Sequence, residues 1–412
     1  MEDTHKATKQ WNDVKCTRDL IEIAKFRAEN PDSPDKEEIE SVFARVKDEE
    51  LANMLKSPSR YSEEYLDNLI KYNVFGYDEL IKSGLISAKS MERLQVNTDY
   101  LPDMDEIQKN SQEQQIVPAG IDVYFFGMPT AGKTSLLMGI SAANGQGYTL
   151  DMRTNGGPYA AALRQYAHAG RTPGRTMGKF VTTVSGVINT ESEGGKVNDF
   201  PVNIIEMSGE EFALGIAETK ETSIANMGTP TTNLLRNDNH KVMFILVDAS
   251  KPMVKFSYLD REIDDDGEIS KYVRSRYISQ LDILDKFVVL ISQPENQEIM
   301  NKVDAIHFIV TKADYMGSGS ERDSKAAELV NTQYLSVVEQ LKNYCRHTKR
   351  INREYDYEPQ IFTYSLGKFY LGDVFDYDST DTLKIVDAIR GASQSGNKYK
   401  WRKFVNSCRL FL

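Results

Sequence analysis

Gly127-Met128-Pro129-Thr130-Ala131-Gly132-Lys133-Thr134 fits the pattern G-x-x-x-x-G-K-[ST], the phosphate-binding P-loop. The flanking residues suit it. Ile121-Asp122-Val123-Tyr124-Phe125-Phe126 reads as a buried strand, and Ser135-Leu136-Leu137-Met138-Gly139-Ile140 as the helix that follows. The order has a physical basis. The strand delivers a glycine-bearing loop whose N–H groups turn inward as an anion nest. The helix then aims its N-terminal N–H groups and positive dipole end at the same phosphates. In such a loop Lys133 reaches the β- and γ-phosphates, and the Thr134 hydroxyl is a Mg²⁺ ligand. Gly127 through Ser135 are therefore the expected phosphate-contacting residues.

Downstream, the strand-like run Val303–Val310 ends in Thr311-Lys312-Ala313-Asp314, the pattern [NT]-K-x-D. An aspartate at the C-terminal end of a strand lies where open α/β sheets bind ligands. It can accept hydrogen bonds from N1–H and the 2-amino group of guanine, and adenine offers neither donor. The Lys312 stem can lie along the base. Between the two motifs, Val202–Met207 reads as a strand bearing Glu206, followed by Ser208, Gly209, Glu210 and Glu211. Upstream of it, Arg171-Thr172-Pro173-Gly174-Arg175-Thr176 precedes the β-branched run Phe180–Val184. Last comes the strand Ile361–Tyr364, followed by Ser365-Leu366-Gly367-Lys368.

The five segments, from Gly127 to Lys368, resemble in kind and order the motifs of Ras-like and translation-factor-like P-loop GTPases. More loosely, Leu163, Gly170, Pro173 and Thr176 together with Gly209-Glu210 resemble the bacterial double-GTPase type. The resemblance covers about residues 118–400. It implies a Mg²⁺·GTP site, slow hydrolysis and loops that reorder when the γ-phosphate leaves. It places Thr176, or alternatively Thr172, as the switch I threonine that closes on Mg²⁺. Arg175 or Arg171 is then an arginine finger in cis. Ser365 and Leu366 hold the S-A-K-like loop facing guanine O6. Glu206 takes the place of the D-x-x-G aspartate that supports Mg²⁺, with Gly209 at the γ-phosphate. Glu206 is a methylene longer, and Glu210 stands where Ras-like proteins have the water-orienting glutamine. Both departures bear on the hydrolysis rate. Two other readings stay open: a GTP-binding scaffold with negligible turnover, and an ATP-using P-loop enzyme in which Asp314 is structural.

Composition bounds the rest. The chain has 412 residues, 40% hydrophobic and 27% charged, which suits a globular protein of two domains. A net charge of −11 argues against nucleic acid as the main partner, because phosphate contacts need a basic face. Cys16, Cys345 and Cys408 have no metal-ligand spacing and read as reduced thiols of a cytoplasmic protein. The start, Met1-Glu2-Asp3-Thr4-His5, suggests no secretory leader. No apolar run reaches membrane-spanning length. His168 reads as a surface helix residue.

The expected fold is α/β: a GTPase domain (118–412) with a mostly parallel sheet flanked by helices, preceded by a small all-α domain (1–115). Leu101–Pro118 reads as the linker between them. In the first domain, Thr17 is expected to cap a helix carrying Leu20, Ile21, Ala24 and Ala28, and Ser33-Pro34 to start a second. A third begins near Ser62. Tyr61, Tyr65, Tyr72, Phe75 and Tyr77 read as its core aromatics or as a groove for a protein effector or regulator. In the second domain, a hairpin turning at Gly194-Gly195-Lys196 and a central strand Lys241–Asp248 are expected. Helices are expected over 269–300, 320–348 and 380–390. Asp264–Glu268 reads as a solvated acidic loop, and Lys398–Lys403 as a basic aromatic tail. On this reading residues 118–412 fold and bind nucleotide alone.

Overall fold

The computed structural model describes residues 11–95, 101–112, 116–118, 120–154, 156–174, 176–178, 180–191, 197–218, 223–224, 230–250, 255–263 and 269–392. The chain forms two compact units. The larger comprises residues 99–168, 173–366 and 377 onward, and the smaller residues up to 98 with 169–172 and 367–376.

The larger unit is α/β. Its strands are β1 (Ile121–Phe126), β2 (Tyr148–Leu150), β3 (Val181–Glu191), β4 (Val197–Met207), β5 (His240–Asp248), β6 (Lys255–Ile263), β7 (Ile269–Ser279), β8 (Val303–Thr311) and β9 (Ile361–Tyr364). Seven of them form one sheet in the order β2-β3-β4-β1-β5-β8-β9. From β4 to β9 every pairing is parallel, and β3 and β2 add on antiparallel. All of β1 and β8 is buried, as a sheet covered on both faces requires. On one face Phe126 meets Phe287 and Phe212, with ring centroids 4.7 and 5.5 Å apart. The helices that supply these rings are Gln280–Ile291 and Gly209–Glu218. The helix Lys133–Ala142 follows the loop after β1. β1 lies between β4 and β5, so the crevice where ligands bind in open α/β sheets falls at its C-terminal end.

A buried polar network fixes the opposite end of β1. Asp122 accepts from the side-chain amides of Asn203, Asn237 and Asn239 at 2.8, 2.6 and 2.9 Å. Lys241 Nζ donates to the carbonyls of Asn237 and Asn239 at 3.0 and 2.7 Å. Asn203 also bonds both backbone groups of Val117, at 3.0 Å each, which ties the entry to β1. Each partner is satisfied, which makes so polar a cluster tolerable inside a sheet.

Several sequence expectations change. The segment 269–300 is not one helix. β7 pairs antiparallel with β6 in a separate two-stranded ribbon, and the helix begins at Gln280. Ile269, Tyr272, Val273, Tyr277 and Ile278 are β-branched or aromatic and favour strand. Ser279 caps the helix reciprocally with Asp282. The segment 320–348 divides at Tyr334 into Gly319–Gln333 and Leu335–Thr348. Leu101–Pro118 contains the helix Met104–Asn110, capped by Asp103, and it belongs to the larger unit. The hairpin pairing of β3 with β4 is present; its turn at 194–196, Asp264–Glu268, Lys398–Lys403 and Cys408 lie outside the described residues. The central strand forms as β5, and a helix covers 380–392.

The smaller unit contains the helices Trp11–Val14, Leu20–Glu29, Lys36–Lys56, Glu63–Lys71, Tyr77–Lys82 and Ala88–Gln95. It also takes in the hairpin β10 (Gly367–Tyr370) and β11 (Val374–Tyr377), apart from Tyr377. Asp19, not Thr17, caps the first long helix, accepting from the Ile21 and Glu22 N–H groups. The next starts at Lys36, two residues beyond Pro34. Ser62 caps the helix Glu63–Lys71. Phe75 is buried, Tyr61, Tyr65 and Tyr72 pack at the core margin, and Tyr77 is exposed. Tyr370, Leu371 and Val374 belong to the same core as Leu66, Leu80 and Leu85. Leu371 N–H donates to Leu85 O at 3.1 Å, and Gly372 N–H to Tyr61 O at 3.0 Å.

Two stability predictions follow from burial. Residues 99–412 alone leave Tyr370, Leu371 and Val374 without their apolar cover, so this fragment is expected to bind a hydrophobic dye and self-associate. Size-exclusion chromatography checks it, and a dye-silent monomer would contradict it. A start at 118 is expected to cost a further ~1–3 kcal/mol for each buried anchor lost. Those anchors are Gln108, whose Oε1 accepts from Met177 N–H at 2.7 Å, and Ser111, whose carbonyl accepts from Thr182 Oγ1 at 2.5 Å.

His307, fully buried on β8, accepts from Gln360 N–H at 3.0 Å and is ringed by Tyr355, Phe362 and Phe244. Burial pushes its pKa down to about 3. The unfolded chain, with a histidine near 6.5, then binds more protons between those values. The stabilisation is complete above pH 6.5 and is lost as pH falls toward 3, by up to ~1.4 kcal/mol per unit. His307→Gln should flatten the denaturant-measured slope of stability against pH in that window. An unchanged slope would refute the assignment.

Candidate functional site

The loop from Gly127 to Lys133 turns sharply. Thr130 has φ +66° and Gly132 φ +84°, a left-handed conformation that glycine adopts without penalty and threonine does not. Gly132 also leaves no slack, because a Cβ there would stand 3.3 Å from Thr311 Cβ. The loop after β1 thus presses on the end of β8. Gly209 makes a second close approach. A Cβ on it would fall 2.2 Å from Pro129 N, so a side chain at 209 would displace the loop after β1.

Lys133 is the first residue of its helix and is buried, 5% exposed. Its Nζ donates to the Gly127 and Met128 carbonyls at 2.7 and 2.9 Å. Burial lowers its pKa, and the Glu206 charge opposes that shift. Glu206, at the end of β4, is fully buried. Burial raises its pKa, against the Thr134 hydrogen bond and the Lys133 charge.

Thr134 lies at the centre. Its Oγ1 donates to Glu206 Oε1 at 2.6 Å and lies 2.6 Å from Thr176 Oγ1. Glu206 Oε2 is buried with no partner. Two hydroxyls and a carboxylate with an unsatisfied oxygen are hard oxygen donors, which fit Mg²⁺. Among the described residues no cluster of three or more His, Cys, Asp or Glu could hold a metal. A metal here would therefore depend on the hydroxyls and on ligand oxygens.

Thr172 is elsewhere. It belongs to the smaller unit, where its hydroxyl donates to Asp373 Oδ2 at 2.6 Å. Arg171 is paired with Glu63 in that unit, at 2.7 and 3.2 Å. Arg175 lies outside the described residues. Glu210, in the first turn of Gly209–Glu218, reaches the segment after Thr176: a Cβ on Gly178 would stand 2.7 Å from its Oε2. His168 is exposed.

At the end of β8, Thr311 Oγ1 donates to Val247 O at 3.2 Å. Lys312 adopts φ +54°, and its Nζ donates to Asp248 Oδ2 at 2.6 Å. Burial raises the Asp314 pKa, while a hydrogen bond from Ser365 lowers it. The Thr311–Asp314 segment and the loop after β9 therefore meet. Ser365 N–H donates to Asp381 Oδ2 at 3.2 Å, and Arg322 grips Asp381 with two bonds of 2.9 and 2.8 Å. Leu366 is buried beside Ser365. Sequence reasoning missed Arg322, Asp381 and Gln108. They are far from their partners in the chain and carry no motif, and only the pairing itself reveals them.

No family model matches the chain, and no curated protein does. Among solved structures it is similar to a Plasmodium falciparum protein provisionally designated nucleolar GTP-binding protein 1, at 14% identity and a TM-score of 0.31. That alignment covers 72% of this chain and 97% of that one; a likeness so distant carries no argument. No helix among the described residues is long and apolar enough to cross a membrane. The assignment comes from the molecule itself: by strand order, crossover and loop geometry, the larger unit has the P-loop α/β fold.

Proposed function

We propose that the chain binds Mg²⁺·GTP and hydrolyses it slowly, as a cytoplasmic switch whose helical unit receives a protein effector or regulator. One observation carries the reading: the phosphate loop, the Thr134–Thr176–Glu206 group and the Asp314–Ser365 pair all lie at the C-terminal ends of parallel strands of one sheet.

In this reading the loop N–H groups and the helix N-terminus hold the phosphates, and Lys133 trades its two carbonyl partners for phosphate oxygens. Mg²⁺, when bound, draws charge from the phosphate oxygens. Thr134 and Thr176 would hold it, and Glu206 Oε2 would support it. Asp314 selects the base, Lys312 lines it, and the backbone at Ser365 and Leu366 faces its O6. Glu210 would orient the attacking water. Catalysis then comes mainly from positioning and fixed electrostatics. Slow turnover is expected because Glu210 brings a negative charge toward the phosphate where a neutral amide would not.

Single-turnover assays with GTP and ATP test this. GTP should be bound in preference and hydrolysed slowly with Mg²⁺. Preference for ATP would overturn the base assignment. Tight GTP binding without any turnover would favour the scaffold reading.

A further inference from the structure

Tyr159, in the first turn of the helix Gly157–Ala169, carries a hydroxyl with no role so far. Its side chain is fully buried. The ring packs on Phe180, just before β3, with centroids 5.0 Å apart at a tilt of 56°. The hydroxyl lies near enough to those of Thr134 and Thr176 to interact with both, and it feels the Glu206 charge. At neither threonine does it reach hydrogen-bonding geometry. The threonines are already engaged with each other, and Thr134 with Glu206.

Two buried polar atoms at this one place, Tyr159 Oη and Glu206 Oε2, thus lack partners. Buried polar groups are nearly always paired, and an exception calls for a reason. Glu206 Oε2 suits a cation. The phenol is a donor and suits an anionic oxygen. Tyr159 is held by its ring packing on Phe180. It therefore offers a fixed donor beside Thr134 and Thr176.

We infer that Tyr159 is a further positioning residue of this site, its hydroxyl donating to an oxygen of the terminal phosphate of a bound triphosphate. The inference rests on the Mg²⁺·GTP reading. It makes Tyr159 a discriminator between triphosphate and diphosphate, since a diphosphate leaves the hydroxyl unsatisfied.

Tyr159→Phe removes the hydroxyl and keeps the ring on Phe180. Dissociation constants for a non-hydrolysable GTP analogue and for GDP, with Mg²⁺, are compared in wild type and variant, together with the melting temperature of nucleotide-free protein. The analogue should bind about tenfold more weakly to the variant, as expected for one hydrogen bond to a charged oxygen. GDP affinity should stay within about twofold, below the effect of any such bond. The nucleotide-free melting temperature should not fall. Equal weakening of both nucleotides with a lower melting temperature would make Tyr159 merely structural and overturn the inference. No change for either would also overturn it. A wild type that binds neither nucleotide would instead overturn the reading of the site.

Discussion

Lys133→Ala is expected to weaken GTP binding by at least about 100-fold, because charge-assisted contacts to two phosphate groups contribute roughly 1.5–3 kcal/mol each. The lysine is buried at the start of its helix, against the loop's own carbonyls. It therefore needs no large excursion to meet phosphates bound in that loop. The variant also leaves Glu206 buried without the nearest opposing charge. An unpaired buried carboxylate takes up a proton more readily, so metal affinity should fall with nucleotide affinity. Titration calorimetry with GTP, with and without Mg²⁺, reads both. Circular dichroism should retain the α/β signature, since the sheet core does not include Lys133. A folded variant that binds GTP like wild type would remove the phosphate-loop reading.

Asp314→Asn is expected to reverse the preference of the site between guanine and xanthine. On the proposed reading the carboxylate would present two acceptors to guanine N1–H and its 2-amino group. Asparagine keeps the size and replaces one acceptor with a donor. Guanine then meets N–H with N–H, and an unmet buried donor costs ~1–3 kcal/mol, or about 5- to 150-fold in affinity. Xanthine carries a carbonyl in place of the amino group and matches the amide. The position is half-buried: partial desolvation raises the Asp314 pKa, and a Ser365 hydrogen bond opposes that shift. Competition among GTP, xanthosine triphosphate and ATP measures the effect. If wild type and variant rank the three alike, Thr311–Asp314 is an ordinary turn. Arg322→Ala gives a milder form of the same test. It frees Asp381 and hence the Ser365 N–H, so guanine selectivity should weaken without reversing.

The sequence by itself determined what contiguous residues dictate. Gly127–Thr134 between an apolar run and a helix specifies a strand–loop–helix unit, because backbone turn geometry and dipole direction are local. The runs that became β1, β4, β5, β8 and β9 are apolar because both sheet faces are covered, so they stand out without knowledge of their neighbours. Local signals also misled. Residues 269–279 read as the start of a helix, yet their strand state depends on β6 as partner, which periodicity within the segment does not display. Thr17 and Ser33 are good caps by type, but the turns around them put the helix starts at other residues.

The tertiary structure alone decided what long-range closure creates. It joined Thr176 rather than Thr172 to Thr134 and sent Thr172 to Asp373, 201 residues away. It brought Gln108 to Met177 and Asp381 to Ser365, and it seated Tyr159 beside Thr134, Thr176 and Glu206. It gave the helical unit a hairpin from residues 367–376, whose Leu371 and Val374 fill a core begun some 300 positions earlier. A hydroxyl, amide or carboxylate looks alike in sequence whether it faces water or a buried partner. Its role is set when the chain closes around it and the cost of leaving it unpaired selects the partner.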